Sequence, residues 1–183
     1  MSASVREEAS NDAHRVIEHA VKEQGLDYAL HDSDSGGLPG IVVALPGERR
    51  LITNTILSVG MHGVRIEAFL CRKPEENYEG VYRFMLRRNR KLYGLAYTLD
   101  NLGDIYLTGR MSLHAVTPDE LDRLFGQVVD VVDRDFNTLL ELGFRTSIQK
   151  EWDWRVKRGE SLKNLKAFEH LIEDDGGSDD QDA

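Results

Sequence analysis

The sequence predicts an α+β fold of order α-β-β-β-α-β-β-α, closed by a C-terminal helical extension, and three observations predict it. Residues 40–70 alternate apolar and polar side chains in three short runs separated by glycine-containing turns. A helix-spaced apolar stripe over 75–91 is followed by a second pair of strand-like runs. Thr117 then opens a long apolar-periodic stretch with its own start signal. Period-two and period-3.6 patterns in that order place strands and helices without any internal repeat.

The first helix spans Val5 to Gln24, with Val16, Ile17, Ala20 and Val21 on one side and Gly25 at its end. Leu26 to His31 is compatible with a short strand, and Asp32 to Gly37 is a loop by composition. Gly40 to Leu45 is β-rich, and Pro46-Gly47 supplies a turn. From Arg50 to Val59, Leu51, Thr53, Thr55, Leu57 and Val59 share one face. Gly60 to Gly63 turns the chain, after which Val64, Ile66, Ala68 and Leu70 form the next inward face, completing an antiparallel meander.

Lys73-Pro74 breaks the pattern, and Glu75 to Lys91 reads as a helix with Tyr78, Val81, Tyr82, Met85 and Leu86 on its apolar stripe. Its acids lead and its bases trail, as the helix dipole favours. Gly94 to Leu99 and Asp104 to Met111 form a second hairpin. Thr117-Pro118-Asp119-Glu120 has the residues of a capping box, so a helix starts there and is expected to end at Leu142 before Gly143. Its stripe is wider than one face, which calls for more than one neighbour, a second subunit among the candidates. Amphipathic helix continues from Ser147 to Glu173, divided near Gly159. The domain reading is 1–146 for the α+β unit, 147–172 for the helical extension, and 173–183 for a disordered acidic tail.

The chain has 183 residues, 40% of them apolar and 30% charged, a globular composition. The segment Met1 to Asn11 is polar, without a signal-peptide core, and no apolar run is long enough to span a bilayer. The single cysteine, Cys71, fits a reducing compartment, so a cytoplasmic location is expected. Net charge is −9, of which the tail's six acids account for −6, leaving −3 for the rest. That balance makes nucleic acid a poor partner, because its binding rests on Lys and Arg neutralising phosphates.

No cofactor and no metal are expected. The six histidines are scattered, and His14 and His19 are five apart, the wrong spacing for one helical face. Asp32-x-Asp34 resembles the opening of a calcium loop, but Gly36 and Val43 stand where that loop needs an oxygen ligand and a glutamate. Cys71 reads as a buried small side chain, and there is no nucleophile elbow or phosphate-cradling glycine loop. The expectation is a protein that is not an enzyme. Arg87-Arg88-Asn89-Arg90-Lys91 is the densest basic stretch and, with Arg83, is either a grip for an anionic segment or nucleic acid or a solvated helix end. Trp152 and Trp154, two apart, cannot share one helical face, and large aromatics beside Arg155 suit an interface as well as a half-exposed clamp.

The stretch Phe84-Met85-Leu86-Arg87-Arg88-Asn89, then Gly94, then Tyr97 to Leu107, resembles the YbjN-domain family. Thr117 to Leu124 looks like that family's closing helix. The resemblance covers about residues 40–144 and implies a twisted antiparallel sheet with helices packed on it, similar to the type III secretion chaperone fold and usually homodimeric. It also implies regulatory or chaperone-like work on a protein client. The reading is therefore a non-catalytic protein-binding homodimer, with Tyr78, Tyr82, Arg83, Arg87, Trp152 and Trp154 as candidate partner-binding residues. The alternative is a small-ligand or nucleotide sensor using Arg83, Arg87 and Arg90.

Overall fold

The computed structural model describes residues 3–32 and 38–173. Asp34, Gly36 and Gly37 of the calcium-like loop, and the acidic tail beyond Glu173, lie outside the described residues. Helix α1 (Ala3–Glu23) leads into β1 (Asp27–His31), β2 (Gly40–Pro46), β3 (Ile52–Gly60) and β4 (Gly63–Cys71). Helix α2 (Tyr78–Asn89), strands β5 (Leu95–Leu99) and β6 (Ile105–Met111), helix α3 (Pro118–Arg158) and the one-turn helix α4 (His170–Glu173) follow. The six strands form one antiparallel sheet in the order β1-β2-β3-β4-β6-β5. The fold is α+β, with one strand more than the predicted order counts: the stretch after α1 does pair, as the edge strand β1.

Alternation decides which face is covered. Thr53, Thr55, Leu57 and Val59 on β3 and Val64, Ile66, Ala68 and Leu70 on β4 are buried with Ile17, Ala20 and Val21 of α1 and Leu121, Val128 and Val132 of α3. The intervening residues, Asn54, Ser58 and Arg65 among them, face solvent on the opposite side. Leu51 departs from its expected face: it precedes the strand and is 78% exposed. Gly47 also has a different reason from the expected turn. Its φ is not positive, but a Cβ there would sit 2.6 Å from the Arg50 carbonyl oxygen and 2.8 Å from a carboxylate oxygen of Asp133. Glycine is needed for space, because the 47–51 loop closes directly onto α3.

Helix α3 does not stop at Gly143. It bends there, with Phe144 at φ −142°, ψ 21°, and runs on to a left-handed cap at Gly159. The cause of the bend is chemical. The Gly143 carbonyl accepts from the N–H groups of Glu75 (2.9 Å) and Glu76 (3.2 Å), and so is diverted from its own helix. A Cβ on Gly143 would lie 3.1 Å from Pro74 Cβ and 3.3 Å from Val81 Cγ2, so the segment leading into α2 packs tightly at the bend. Glu75 and Glu76 do not lead α2 as expected; Asn77 caps that helix. Glu76 accepts from Thr146 N (2.6 Å) and Thr146 Oγ1 (3.0 Å), and Glu75 accepts from Ser147 Oγ. Both acids therefore start the second half of α3, where free N–H groups favour negative charge.

The start of α3 is half of what Thr117 to Glu120 implies. Thr117 Oγ1 accepts from Glu120 N at 3.2 Å. The Glu120 carboxylate turns away from the cap and grips Arg123 at 2.8 and 2.5 Å, since a cation one turn on is a stronger partner than one amide.

Candidate protein-binding surface

Helix α2 positions the first group of candidate residues. Asn77, in the left-handed region at φ 46°, accepts from Gly80 N at 3.2 Å and starts the helix after Pro74. Val81 and Met85 are its buried residues. Of the expected stripe, these two are fully buried and Tyr82 packs against the core at its edge. Tyr78 and Leu86 point outward, 41% and 68% exposed, with Tyr82 half-buried between them. Residues 78, 82 and 86 form one row along the helix, and 81, 85 and 88 form the row that faces the domain.

The outward row has a cationic rim. A hollow of about 450 Å³ is lined by Glu79, Tyr82, Arg83, Leu86, Arg87 and Arg90, and its floor is almost wholly apolar. Arg83 pairs with Glu79, whereas the side chains of Arg87 and Arg90 have no ion-pair partner among the described residues. The Tyr78 and Tyr82 rings lie 6.2 Å apart, and Lys73 Nζ is 5.9 Å from the Tyr78 ring centre. Leu86 is the residue that sequence reasoning missed. Its apolar spacing assigns it to the buried stripe; the one contrary signal is that Arg83, Arg87 and Arg90 are its neighbours on the helix surface.

Arg88, in the middle of the basic stretch, belongs to the interior. Its Nε donates to Asp135 Oδ2 at 2.6 Å, and the Tyr97 hydroxyl donates to the same oxygen at 2.8 Å. Asn89 completes the joint: its Oδ1 accepts from Tyr97 N (2.7 Å) and its Nδ2 donates to Tyr97 O (3.2 Å). Burial, followed by the hydrogen bond to Asp135, pushes the Tyr97 hydroxyl well above its ordinary range. This network ties α2, β5 and α3 together and gives Arg88-Asn89 a structural role. Burial likewise pushes the Cys71 thiol up to about 11, which leaves it a thiol at neutral pH.

The second group sits on the far half of α3. Trp154 is 44% exposed, with the Arg158 guanidinium 4.7 Å from its ring centre, and Trp152 is half-buried. Ile148, Phe168 and Leu171 form a small core of their own against Leu140, Phe144 and Leu165. The two groups stand on different elements, α2 and the second half of α3. These elements meet at the bend, where Glu75 and Glu76 hold Ser147 and Thr146. Trp152 lies six residues beyond Thr146, about 9 Å along the axis. Among the described residues no cluster of His, Cys, Asp and Glu has a metal-holding arrangement, and no helix is long and apolar enough to cross a membrane.

Residues 14–141 match the YbjN family model, described as "Putative bacterial sensory transduction regulator". An uncharacterized protein of Mycobacterium leprae (strain TN) is 64% identical over 164 residues, 90% of this chain and 89% of its own length. Uncharacterized proteins of Mycobacterium bovis and Mycobacterium tuberculosis are 65% identical over 157 residues, 86% of each chain. Among solved structures, the heterodimeric ExoU-SpcU complex from the type III secretion system of Pseudomonas aeruginosa contains a chain that matches with TM-score 0.48 and 16% identity. The match covers 68% of this chain and 98% of that one, a likeness too slight to carry an argument. The family match starts within α1, takes in the whole sheet and α2, and ends inside α3; the chain belongs to the YbjN family.

Proposed function

We propose that this chain is a non-catalytic, protein-binding module of regulatory or chaperone-like character, acting as a homodimer. The observation that carries the reading is the outer row of α2, where Tyr78, Tyr82 and Leu86 make an apolar strip rimmed by Arg83, Arg87 and Arg90. Such a strip complements an amphipathic segment of a partner protein, apolar on one side and acidic along its edges. The family description as a regulator of sensory transduction supports the same reading. A phosphate-ligand sensor at these arginines is less well supported. The hollow has an apolar floor, whereas phosphate recognition rests on several converging donors. Trp152 and Trp154 belong to the reading as a second contact on a separate element. The α+β unit is taken to end at residue 146, just beyond the bend, with 147–172 as an accessory part. The helix expected to continue to Glu173 runs only to Arg158, followed by a 3-10 turn at Lys166–Phe168 and the one-turn α4.

Native mass spectrometry of the protein drawn gently from its own host tests the proposal. A co-purifying polypeptide is expected, and it should be lost from the variant Leu86→Asp/Arg87→Glu while the melting temperature stays within a few degrees, since both side chains are exposed. Unchanged recovery in that variant would remove α2 from the interface. Stabilisation by a phosphate ligand, absent from the same variant, would favour the sensor.

A further inference from the structure

The two edges of the sheet are finished differently. At β5 the outward N–H and C=O of Tyr97 are both taken by the Asn89 carboxamide, which imitates a neighbouring strand and closes that edge at its centre. At β1 the register to β2 is continuous from Asp27↔Ala44 to His31↔Gly40, and the outer side has no hydrogen-bond partner among the described residues. An open edge normally carries a guard such as lysine, proline or a bulge. Strand β1 reads Asp27-Tyr28-Ala29-Leu30-His31, with no lysine, proline or bulge of its own, while Lys22 Nζ of α1 lies 5.6 Å from the Tyr28 ring centre and Leu30 is 53% exposed.

The order of those five residues points to what occupies the edge. Turned antiparallel about Ala29, the strand is complementary to itself. Ala29 faces Ala29, Tyr28 faces Leu30 of the second copy, and Asp27 faces His31 of the second copy. Tyr28 and Leu30 lie on the helix side, opposite buried Val43 and Ile41, so each exposed Leu30 would be covered by the other copy's Tyr28. The exposed Asp27 and His31 lie on the open face, where a carboxylate directly across an antiparallel ladder can accept a hydrogen bond from the other copy's imidazole, whose Nδ1 is already bonded to Asp32 O at 2.9 Å. We infer that two copies of the chain join through β1 about a two-fold axis at Ala29, making one continuous sheet. This inference rests on the homodimer reading above and assigns its interface. The contact is a single short strand from each copy, so the dimer is concentration-dependent.

The test uses the full chain. Ala29→Cys places two thiols directly opposite, with Cα atoms about 4.5–5.5 Å apart, inside the range a disulfide spans. The native Cys71 is buried and contributes little background. Mild oxidation should give a covalent dimer from Ala29→Cys and not from Leu30→Cys, whose thiols face Tyr28 instead. Leu30→Lys, at an exposed position, should leave the melting curve unchanged at concentrations well below the dimer dissociation constant, where both proteins are monomers. It should raise the dimer dissociation constant about tenfold in sedimentation equilibrium, because the lost pair occurs twice in a symmetric dimer. A dimer that ignores Leu30→Lys and does not cross-link at position 29 would overturn this interface while leaving the homodimer reading standing. A monomer at every concentration would overturn both. A monomer whose co-purifying polypeptide is lost on Leu30→Lys would overturn it in favour of a client strand at the same edge. The first two of these results leave the α2 strip untouched, and the Leu86→Asp/Arg87→Glu variant tests that strip separately.

Discussion

Three consecutive N–H groups, of Glu48, Arg49 and Arg50, converge on the carboxylate of Asp133 at 2.8, 3.0 and 3.3 Å. Burial alone would raise this carboxyl. The three amides, helped by the Arg49 charge, outweigh it and hold the group below the usual carboxylate range. Unfolded, the carboxyl titrates near about 3.9. Between the folded and unfolded values the unfolded chain therefore binds more protons. This contribution to stability is present above the unfolded value and lost as pH falls through the folded one. Asp133→Asn should accordingly flatten the acid side of the stability profile, with the advantage of the wild type shrinking as pH falls below the unfolded carboxylate value. Urea midpoints measured between about pH 6 and pH 3 check this, and a constant difference across that range would deny the linkage. Beside Asp133 the same loop sends Arg50 inward, its Nη1 donating to Phe69 O at 2.7 Å, with its guanidinium 5.7 Å from the Phe69 ring and 5.1 Å from that of Phe136. Burial lowers the Arg50 pKa from its ordinary value, and the packed rings show why the β2–β3 loop lies flat against the helix layer.

Between elements, the Arg88–Asp135–Tyr97 joint has the largest consequence. Asp135 is 4% and Arg88 16% exposed at the side chain, so removing the acid strands a cation and a hydroxyl away from water. Asp135→Ala should cost about 3 kcal/mol in equilibrium unfolding. Replacing Arg88 by Met in the same chain should recover part of that loss, because the pair's desolvation then disappears with it. Failure of the second change to recover anything would mean that Arg88 finds another partner. The joint also explains how an apolar strip can be displayed at α2. The helix is anchored from beneath by Val81, Met85 and Arg88, and Asn89 stitches its end to β5. Tyr78 and Leu86, with the outer part of Tyr82, can then face solvent without loosening it. At the other end of α2, Glu75 and Glu76 fix the bend of α3, so the tryptophan-bearing half is set by the same segment that starts α2.

At the scale of the molecule there are two cores of unequal size. The main cluster joins α1, the sheet, α2 and α3, whereas the second consists of Ile148, Phe168 and Leu171 with a few partners. Local stability follows buried apolar contact. Amide hydrogen exchange should therefore show residues 160–173 exchanging by local opening, well before the central strands β3, β4 and β6. Equal protection in the two regions would make the helical extension an integral part of the main core. The unequal cores coincide with the extent of the family match, which ends at residue 141, ahead of the smaller core's own residues.

Much of this architecture is legible in the order of residues, because each side chain is tied to its neighbours by fixed backbone periods. The alternation of Val64, Ile66, Ala68 and Leu70, the Thr117 cap, and Gly159 at the end of α3 are local events and lie where the sequence places them. What periodicity could not reveal depends on partners distant in the chain. Arg88 turns inward only because Asp135 is 47 residues away in sequence and 2.6 Å away in space. Gly143 bends the helix and does not end it, because the Glu75 and Glu76 amides take its carbonyl. Leu86 fits the apolar stripe by spacing, yet it is exposed because Val81, Met85 and Arg88 already occupy the side of α2 that meets the domain. The sequence by itself determined the central strands, the starts of α1 and α3 and the covered face of the sheet, since those follow from local period and burial. Only tertiary packing decided which side chains remain outside, since that depends on what the other elements had already covered.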